Sequence, residues 1–377
     1  MKKLTILFLI SALFSCGEKE NQASSNILEN LTFSVDTILV DSGDELMLLE
    51  GDYIGNYALS ANRDRMYIFS EKAYILQEVD LDKLKLIGKK EFEKEGPNGV
   101  GEYIQAFNQL NNGSLVFSNF KGTGVFTLDG KNQNQYFLKS SEIEGIDLKD
   151  DFPITSKARI FGDGSFLFGI NPMEKDYQLV EVNLIEKSGR QLPLNALNGT
   201  RDFQTMLTSN GPSIFYSISP RLEWVNNQVL VSSPSTNEIY ILNSTQDSLQ
   251  HIAFSHKLVP LAKTGTYNPN STSREEFLQI MEDITNQVNF GKFHWDNSTK
   301  HYFRLSHIGL PKPDPDSKKK YENFIHVYNQ EFELIGESKL EGIDQKLNDD
   351  CFFKDGKLWS YVNVEDELGF AVFTFDF

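Results

Sequence analysis

Three arginines, Arg159, Arg221 and Arg304, sit within or beside apolar stretches of the chain. A guanidinium there must find a partner, because burying an unpaired charge is costly. Two chemistries fit. One is ion pairing between neighbouring elements of the fold; the other is anchoring a carboxylate or sugar ligand through the planar fork of donors. A second candidate is Glu95-Gly96-Pro97-Asn98-Gly99-Val100-Gly101-Glu102-Tyr103, where three glycines, a proline and an asparagine demand special backbone angles. The N–H groups around Asn98 and Gly99 could hold an anion or a ligand carbonyl, and the competing reading is a rigid connection. Its G-x-x-G-x-G order differs from the dinucleotide fingerprint, and no helix pattern follows. His294, His301 and His307 with Asp296 come nearest to a metal-ligand run, yet their spacing matches none of the usual patterns. The chain has no G-x-S-x-G, H-E-x-x-H, phosphate-binding loop or paired-cysteine spacing. No catalytic residue, cofactor or metal is therefore expected.

Charge and the first residues narrow the partners. A formal charge of -17 over 377 residues argues against nucleic acid and anionic lipid, which need Lys and Arg clusters. Lys2 and Lys3 precede an apolar run from Leu4 to Leu13, and Leu13-Phe14-Ser15-Cys16 closes it. That order is a signal peptide over residues 1–15, too short for the roughly 20 residues of a membrane span. Leu-x-Ser-Cys resembles the bacterial lipobox, whose cysteine sulfur takes a diacylglyceryl group. Cys16 is thus the expected lipidation site, with residues 16–30 as a polar tether and the membrane as a partner through the lipid. The expected location is the outer membrane, at its periplasmic face or at the cell surface. Only Cys351 then remains, so no intramolecular disulfide is available.

The elements that must position these residues read as strands. The chain is 12% aromatic, with 29 Phe and 14 Tyr, a bias that favours sheet. Six times a turn tolerant of positive φ precedes a short aromatic or branched strand, as at Asn112-Gly113 before Leu115-Val116-Phe117 and at Asp355-Gly356 before Leu358-Trp359. A second strand follows each time, and the six markers stand 49 to 71 residues apart. Four-stranded blades arranged radially produce this pattern, so the expected fold is all-β, a six-bladed β-propeller over residues 31–377 as a single domain. The last unit stops at Phe377 one strand short, and Phe33 to Val40 has the alternation to supply it as a closing outer strand. Thr272 to Phe290 reads as one inserted amphipathic helix, with Phe277, Ile280, Met281, Ile284 and Val288 on one face. On this plan Arg159 and Arg221 fall on innermost strands, with Tyr57, Gln105 and Lys292 in comparable places.

The lipobox, the acidic tether, the six aromatic-rich units and Lys94-Glu95-Gly96-Pro97-Asn98-Gly99-Val100-Gly101 together resemble a Bacteroidota lipoprotein family catalogued as domain of unknown function 4221, similar to the TolB-like six-bladed propellers. The resemblance brings no catalytic residues. It implies a binding or scaffold module at the cell envelope, meeting a peptide, glycan or partner protein. The alternative is a hydrolase or lyase of glycans or peptides with its site in the central channel, which rests on fold analogy.

Overall fold

The turns found in the sequence reverse the chain where the backbone enters the left-handed region. Arg63, Gly113, Gly162, Asn227, Lys300 and Gly356, one in each of the six turns, all have positive φ. The computed structural model describes residues 26–377 apart from 50, 52, 156, 173, 174, 209, 210, 244–247, 315, 348, 349 and 366. Among them are six four-stranded antiparallel sheets. Five are consecutive meanders, at residues 56–91, 106–136, 159–193, 221–252 and 289–339. The sixth joins Cys351–Lys354, Lys357–Val364 and Glu367–Asp376 to the chain's first strand, Thr32–Leu39. That strand pairs antiparallel with the last one, from Thr32 opposite Asp376 to Leu39 opposite Gly369, as the missing outer strand required.

Each sheet is buried on both faces, and successive side chains of a strand point opposite ways. In Arg65–Ser70, Met66 and Ile68 pack against Phe352, Trp359 and Phe370 of the sixth sheet. Tyr67 and Phe69 pack against Leu115, Phe117 and Phe126 of the second. The pattern repeats around the molecule. Val116 and Val125 meet Ile160 and Leu167; Phe168 and Leu179 meet Val231 and Leu242; Leu230 and Ile241 meet Trp295 and Tyr302; Phe303 and Ile325 meet Phe353 and Leu358. Each such buried Leu or Phe contributes about 1.5–3 kcal/mol. Four-stranded sheets packed face to face in sequence fit a β-propeller.

Three features depart from the sequence reading. The chain is already held at Asn26 rather than from residue 31: the Ile27 N–H donates to the Ile335 carbonyl at 3.0 Å, and Leu28 is buried against the fifth and sixth sheets. Gly336 permits this approach, since a Cβ there would lie 2.7 Å from Ile27 Cγ1. Residues 1–25, which include the expected signal peptide and the expected lipidation site Cys16, lie outside the described residues. The inserted helix spans only Arg274–Thr285, so Val288 falls beyond it and packs with Phe290 and Phe324 instead. The Ser273 hydroxyl caps its first turn by accepting from the Glu276 N–H at 3.1 Å. Last, the helix rests on a small three-stranded sheet, Gln204–Leu207, Ile214–Ser217 and Asn270–Ser271, with Phe203, Ile218, Ile280 and Ile284 between them. No helix among the described residues is long and apolar enough to cross a membrane.

The helix is fixed at its other end by a buried lysine. Lys263 Nζ donates to the carbonyl of Ile284 at 2.8 Å, where the helix macrodipole favours a cation. Burial, helped by the neighbouring Lys319 ammonium, nevertheless pushes Lys263 down to about 7 from 10.5. Between those values the unfolded chain holds more protons than the folded one, so this group's contribution to stability rises with pH. Urea unfolding at pH 7 and pH 9 should show the wild type gaining on Lys263→Met across that interval. A constant difference would exclude Lys263 as the titrating group.

Candidate functional site

Leaving the outer strand Lys85–Glu91, the chain must travel to the inner strand Ala106–Gln109 of the second sheet. Residues 94–103 make that journey, with positive φ at Gly96 (93°), Gly101 (83°) and Tyr103 (57°). Three consecutive N–H groups of the loop are taken by nearby carbonyls. Gly99 donates to Gly96, Val100 to Glu93 and Gly101 to Lys94, at 2.9–3.0 Å. The expected anion nest at Asn98 and Gly99 is therefore not what forms. Asn98 Oδ1 instead accepts from the Asn132 N–H at 3.2 Å, tying the loop to the outer strand Asn132–Tyr136. Gly99 is required by space, since a Cβ would lie 2.6 Å from the Glu95 main chain.

The loop walls a cleft of about 420 Å³, closed on the other side by Asn119, Lys121, Asn132, Gln135 and Phe137. Asn119 is occupied in holding the wall, donating to the Val100 carbonyl and accepting from the Lys121 N–H. Asn132 Nδ2 donates to Gln135 Oε1 at 2.9 Å, which leaves Asn132 Oδ1 and Gln135 Nε2 without a partner among the described residues. At the rim, the Glu102 carboxylate pairs with Lys94, which holds Glu102 below its ordinary value and Lys94 above it. Phe137 lines the cleft at 62% exposure, and two more exposed aromatic residues, Tyr103 at 67% and Phe120 at 57%, adjoin its lining residues Glu102, Asn119 and Lys121 along the chain. Tyr103 and Phe120 have ring centroids 6.5 Å apart. The Tyr103 main chain is fixed by the Glu71 carboxylate, which accepts the N–H groups of Tyr103 and Ile104.

The arginines lie elsewhere and act within the protein. Arg304 is fully buried; its Nε, Nη1 and Nη2 donate to the carbonyls of Gly291, Asn237 and Ser233 at 3.0–3.2 Å, and its guanidinium stacks on Phe290 and Phe293. Burial pushes it down to about 10. This geometry makes Arg304 a clamp between the fourth and fifth sheets, and removes it from the residues able to meet a ligand. Arg221 Nη1 reaches the Phe290 carbonyl at 3.3 Å, again joining the fourth sheet to the fifth. Arg159 is half-buried; burial lowers it, and the charge of Glu223 on the fourth sheet opposes that shift. Glu223 is itself buried and accepts from Ser232 Oγ and the Phe293 N–H. Tyr57 is half-buried on the first sheet's inner strand, and Gln105 donates to the Tyr103 carbonyl at 3.3 Å. Lys292 borders a small pocket of about 20 Å³ with His294 and Cys351. These residues do not converge with Asn98 and Gly99 on one site.

The histidine run does not assemble either. His294 Nε2 contacts Cys351 Sγ at 3.4 Å, while Asp296 caps its own turn through Ser298 and Thr299. The one grouping of three metal-ligating side chains among the described residues is His256, His326 and Glu337, all buried. Burial pushes His326 down to about 4 and lowers His256, so both imidazoles are neutral near pH 7. Burial alone would raise Glu337, but its contacts with both imidazoles and the Lys257 N–H hold it far below the carboxylate range. No local sequence signal marks this group, because 81 residues separate His256 from Glu337.

A family profile described as "Domain of unknown function (DUF4221)" matches residues 24–339. The chain belongs to this family. Among solved structures, a DUF4221 member from Bacteroides vulgatus is 12% identical, with a TM-score of 0.61 over 94% of this chain and 99% of that one. A Bacteroides fragilis protein described as a candidate exported protein is 10% identical, with a TM-score of 0.49 over 93% and 96%. TolB from Acinetobacter baumannii is 10% identical, with a TM-score of 0.35 over 87% and 68%. Among curated proteins no sequence matches the chain. The DUF4221 fold is shared with the Bacteroides vulgatus structure, and the cleft-forming Gly-Pro-Asn-Gly loop lies inside the matched residues.

Two substitutions separate shape from clamping. Gly99→Ala forces the loop away from Glu95 and should cost about 1–3 kcal/mol in urea unfolding. Arg304→Lys leaves at least one buried carbonyl unpaired and should cost about 3–5 kcal/mol by the same measurement. A loss below about 1 kcal/mol for Arg304→Lys would show that the clamp is not needed.

Proposed function

We propose that this DUF4221 protein is a non-enzymatic binding module, a six-bladed propeller held at the outer membrane by a lipid on Cys16, whose cleft beside residues 94–102 takes a neutral glycan. The observation that carries this reading is the company the cleft keeps. Exposed aromatic rings offer flat apolar faces to the C–H side of a sugar, and the carboxamides of Asn132 and Gln135 offer one acceptor and one donor to its hydroxyls. A formal charge of -17 disfavours acidic polysaccharides, which would be repelled. Six clusters of apolar residues between consecutive sheets, the last joining the sixth sheet to the first, support counting six blades. Docking of the chain from Asn26 onward supports a tether of residues 16–25, which at full extension reaches about 35 Å.

Titration of the protein with a panel of purified neutral and acidic polysaccharides, followed calorimetrically, tests this. A neutral member should bind, and Phe137→Ala and Tyr103→Ala should each weaken it about tenfold without changing the unfolding midpoint. Absence of binding across the panel, or binding indifferent to both substitutions, would overturn the glycan reading. Release of reducing ends during the titration would mark a hydrolase instead.

A further inference from the structure

At the junction of the fourth and fifth sheets, three side chains from distant parts of the sequence meet around one point. His326 and Glu337 are directly opposite in the register of neighbouring strands, Tyr321–Tyr328 and Leu334–Lys339, so both project from the same face. His256 arrives from the connection that leaves the fourth sheet after Ile252. Glu337 Oε2 lies 3.4 Å from His256 Nδ1 and 3.6 Å from His326 Nδ1, and the ligand atoms of all three residues fall within 4.8 Å of one another. Donors each about 2.0–2.2 Å from a tetrahedral zinc ion are about 3.3–3.6 Å apart.

The remaining polar atoms of the three groups are held from behind. His326 Nε2 is 2.8 Å from Ser306 Oγ, His256 Nε2 is 3.3 Å from the Tyr328 hydroxyl, and Glu337 Oε1 accepts the Lys257 N–H at 2.7 Å. Outer partners of this kind turn the coordinating nitrogen of an imidazole toward a metal. Both histidine side chains are inaccessible to solvent, and His326 Nδ1 makes no hydrogen bond. A buried nitrogen left unpaired costs about 1–3 kcal/mol unless something binds it. At 3.6 Å the Glu337 oxygen is too far to serve as its hydrogen-bond partner.

We propose that His256, His326 and Glu337 form a zinc site that staples the chain together at this junction. Two imidazoles and one carboxylate suit a borderline divalent ion such as zinc, whereas calcium and magnesium prefer shells made of oxygen. The Arg304 guanidinium, stacked on the Phe290 ring that also packs on His256, opposes a cation, so the affinity falls below that of a thiolate site. The staple would join three segments. His256 belongs to the connection between the sheets, Glu337 to the fifth sheet's outer strand, and the Glu337 main chain is bracketed by the Asn26 side chain, with both hydrogen bonds at 2.9 Å. A pull on the N-terminal segment therefore arrives at the residue the ion holds.

The test uses the full chain in detergent, stripped with EDTA and dialysed. Zinc chloride should bind at one equivalent per chain and raise the thermal midpoint by about 5 °C at roughly a hundredfold excess over Kd. His326→Gln and Glu337→Gln should each weaken binding more than about tenfold, while His251→Gln, at an exposed histidine, should not. Should His326→Gln fail to fold, the wild type loaded with cobalt(II) still decides, because coordination by two imidazoles and a carboxylate gives visible ligand-field absorption. No stoichiometric uptake by the wild type, no such absorption at saturating cobalt, or zinc binding unchanged in Glu337→Gln would each overturn the site.

Discussion

Pairing of Thr32–Leu39 with Glu367–Asp376 makes neighbours of the two ends of the described chain, and the rest of the arrangement depends on it. Without it the strand Glu367–Asp376 would present a row of unpaired N–H and C=O groups along an edge. With it, the sixth sheet has four strands like the others, and its Phe352, Trp359 and Phe370 are positioned to close on Met66 and Ile68. Closure is thus a long-range contact completed only when the whole chain has been placed. Such contacts are slow to form because their loop-closure entropy must be overcome first.

Once the sheets are stacked on both faces, the polar groups caught between them must be satisfied internally. Arg304 is the clearest instance: its donors take three main-chain carbonyls from the fourth-to-fifth sheet junction. Glu223 does the converse, accepting a hydroxyl and an N–H while balancing nearby guanidinium charge. The same junction holds His256, His326 and Glu337, and the Glu337 main chain is where Asn26 docks. The exposed face beside the Gly-Pro-Asn-Gly loop is different in kind. There several main-chain N–H groups are taken by nearby carbonyls, the Tyr103 N–H goes to the Glu71 carboxylate, and aromatic rings face solvent.

Part of this was legible from residue order. Turn residues tolerant of positive φ marked where strands reverse, and a missing outer strand in the last unit pointed to Phe33–Val40, because these are local or counting arguments. The inserted helix was legible from its apolar face, though Asn289 already belongs to a strand and the pattern overran the helix end. The small sheet under the helix gave no signal, since Gln204–Leu207 and Asn270–Ser271 are short and far apart.

What the sequence by itself determined is therefore the set of local choices: strand, turn and cap, together with the need for a closing strand. Tertiary structure alone decided which ionisable groups meet. An arginine in an apolar run reads alike whether it faces a channel or a neighbouring sheet, and only packing made Arg304 a clamp. Likewise Asn98 and Gly99 suited an open nest by residue type, but nearby carbonyls took the N–H groups of Gly99, Val100 and Gly101. The physical reason is range. Backbone preference acts over a few residues, whereas the meeting of His256 with Glu337 depends on the stacking of whole sheets.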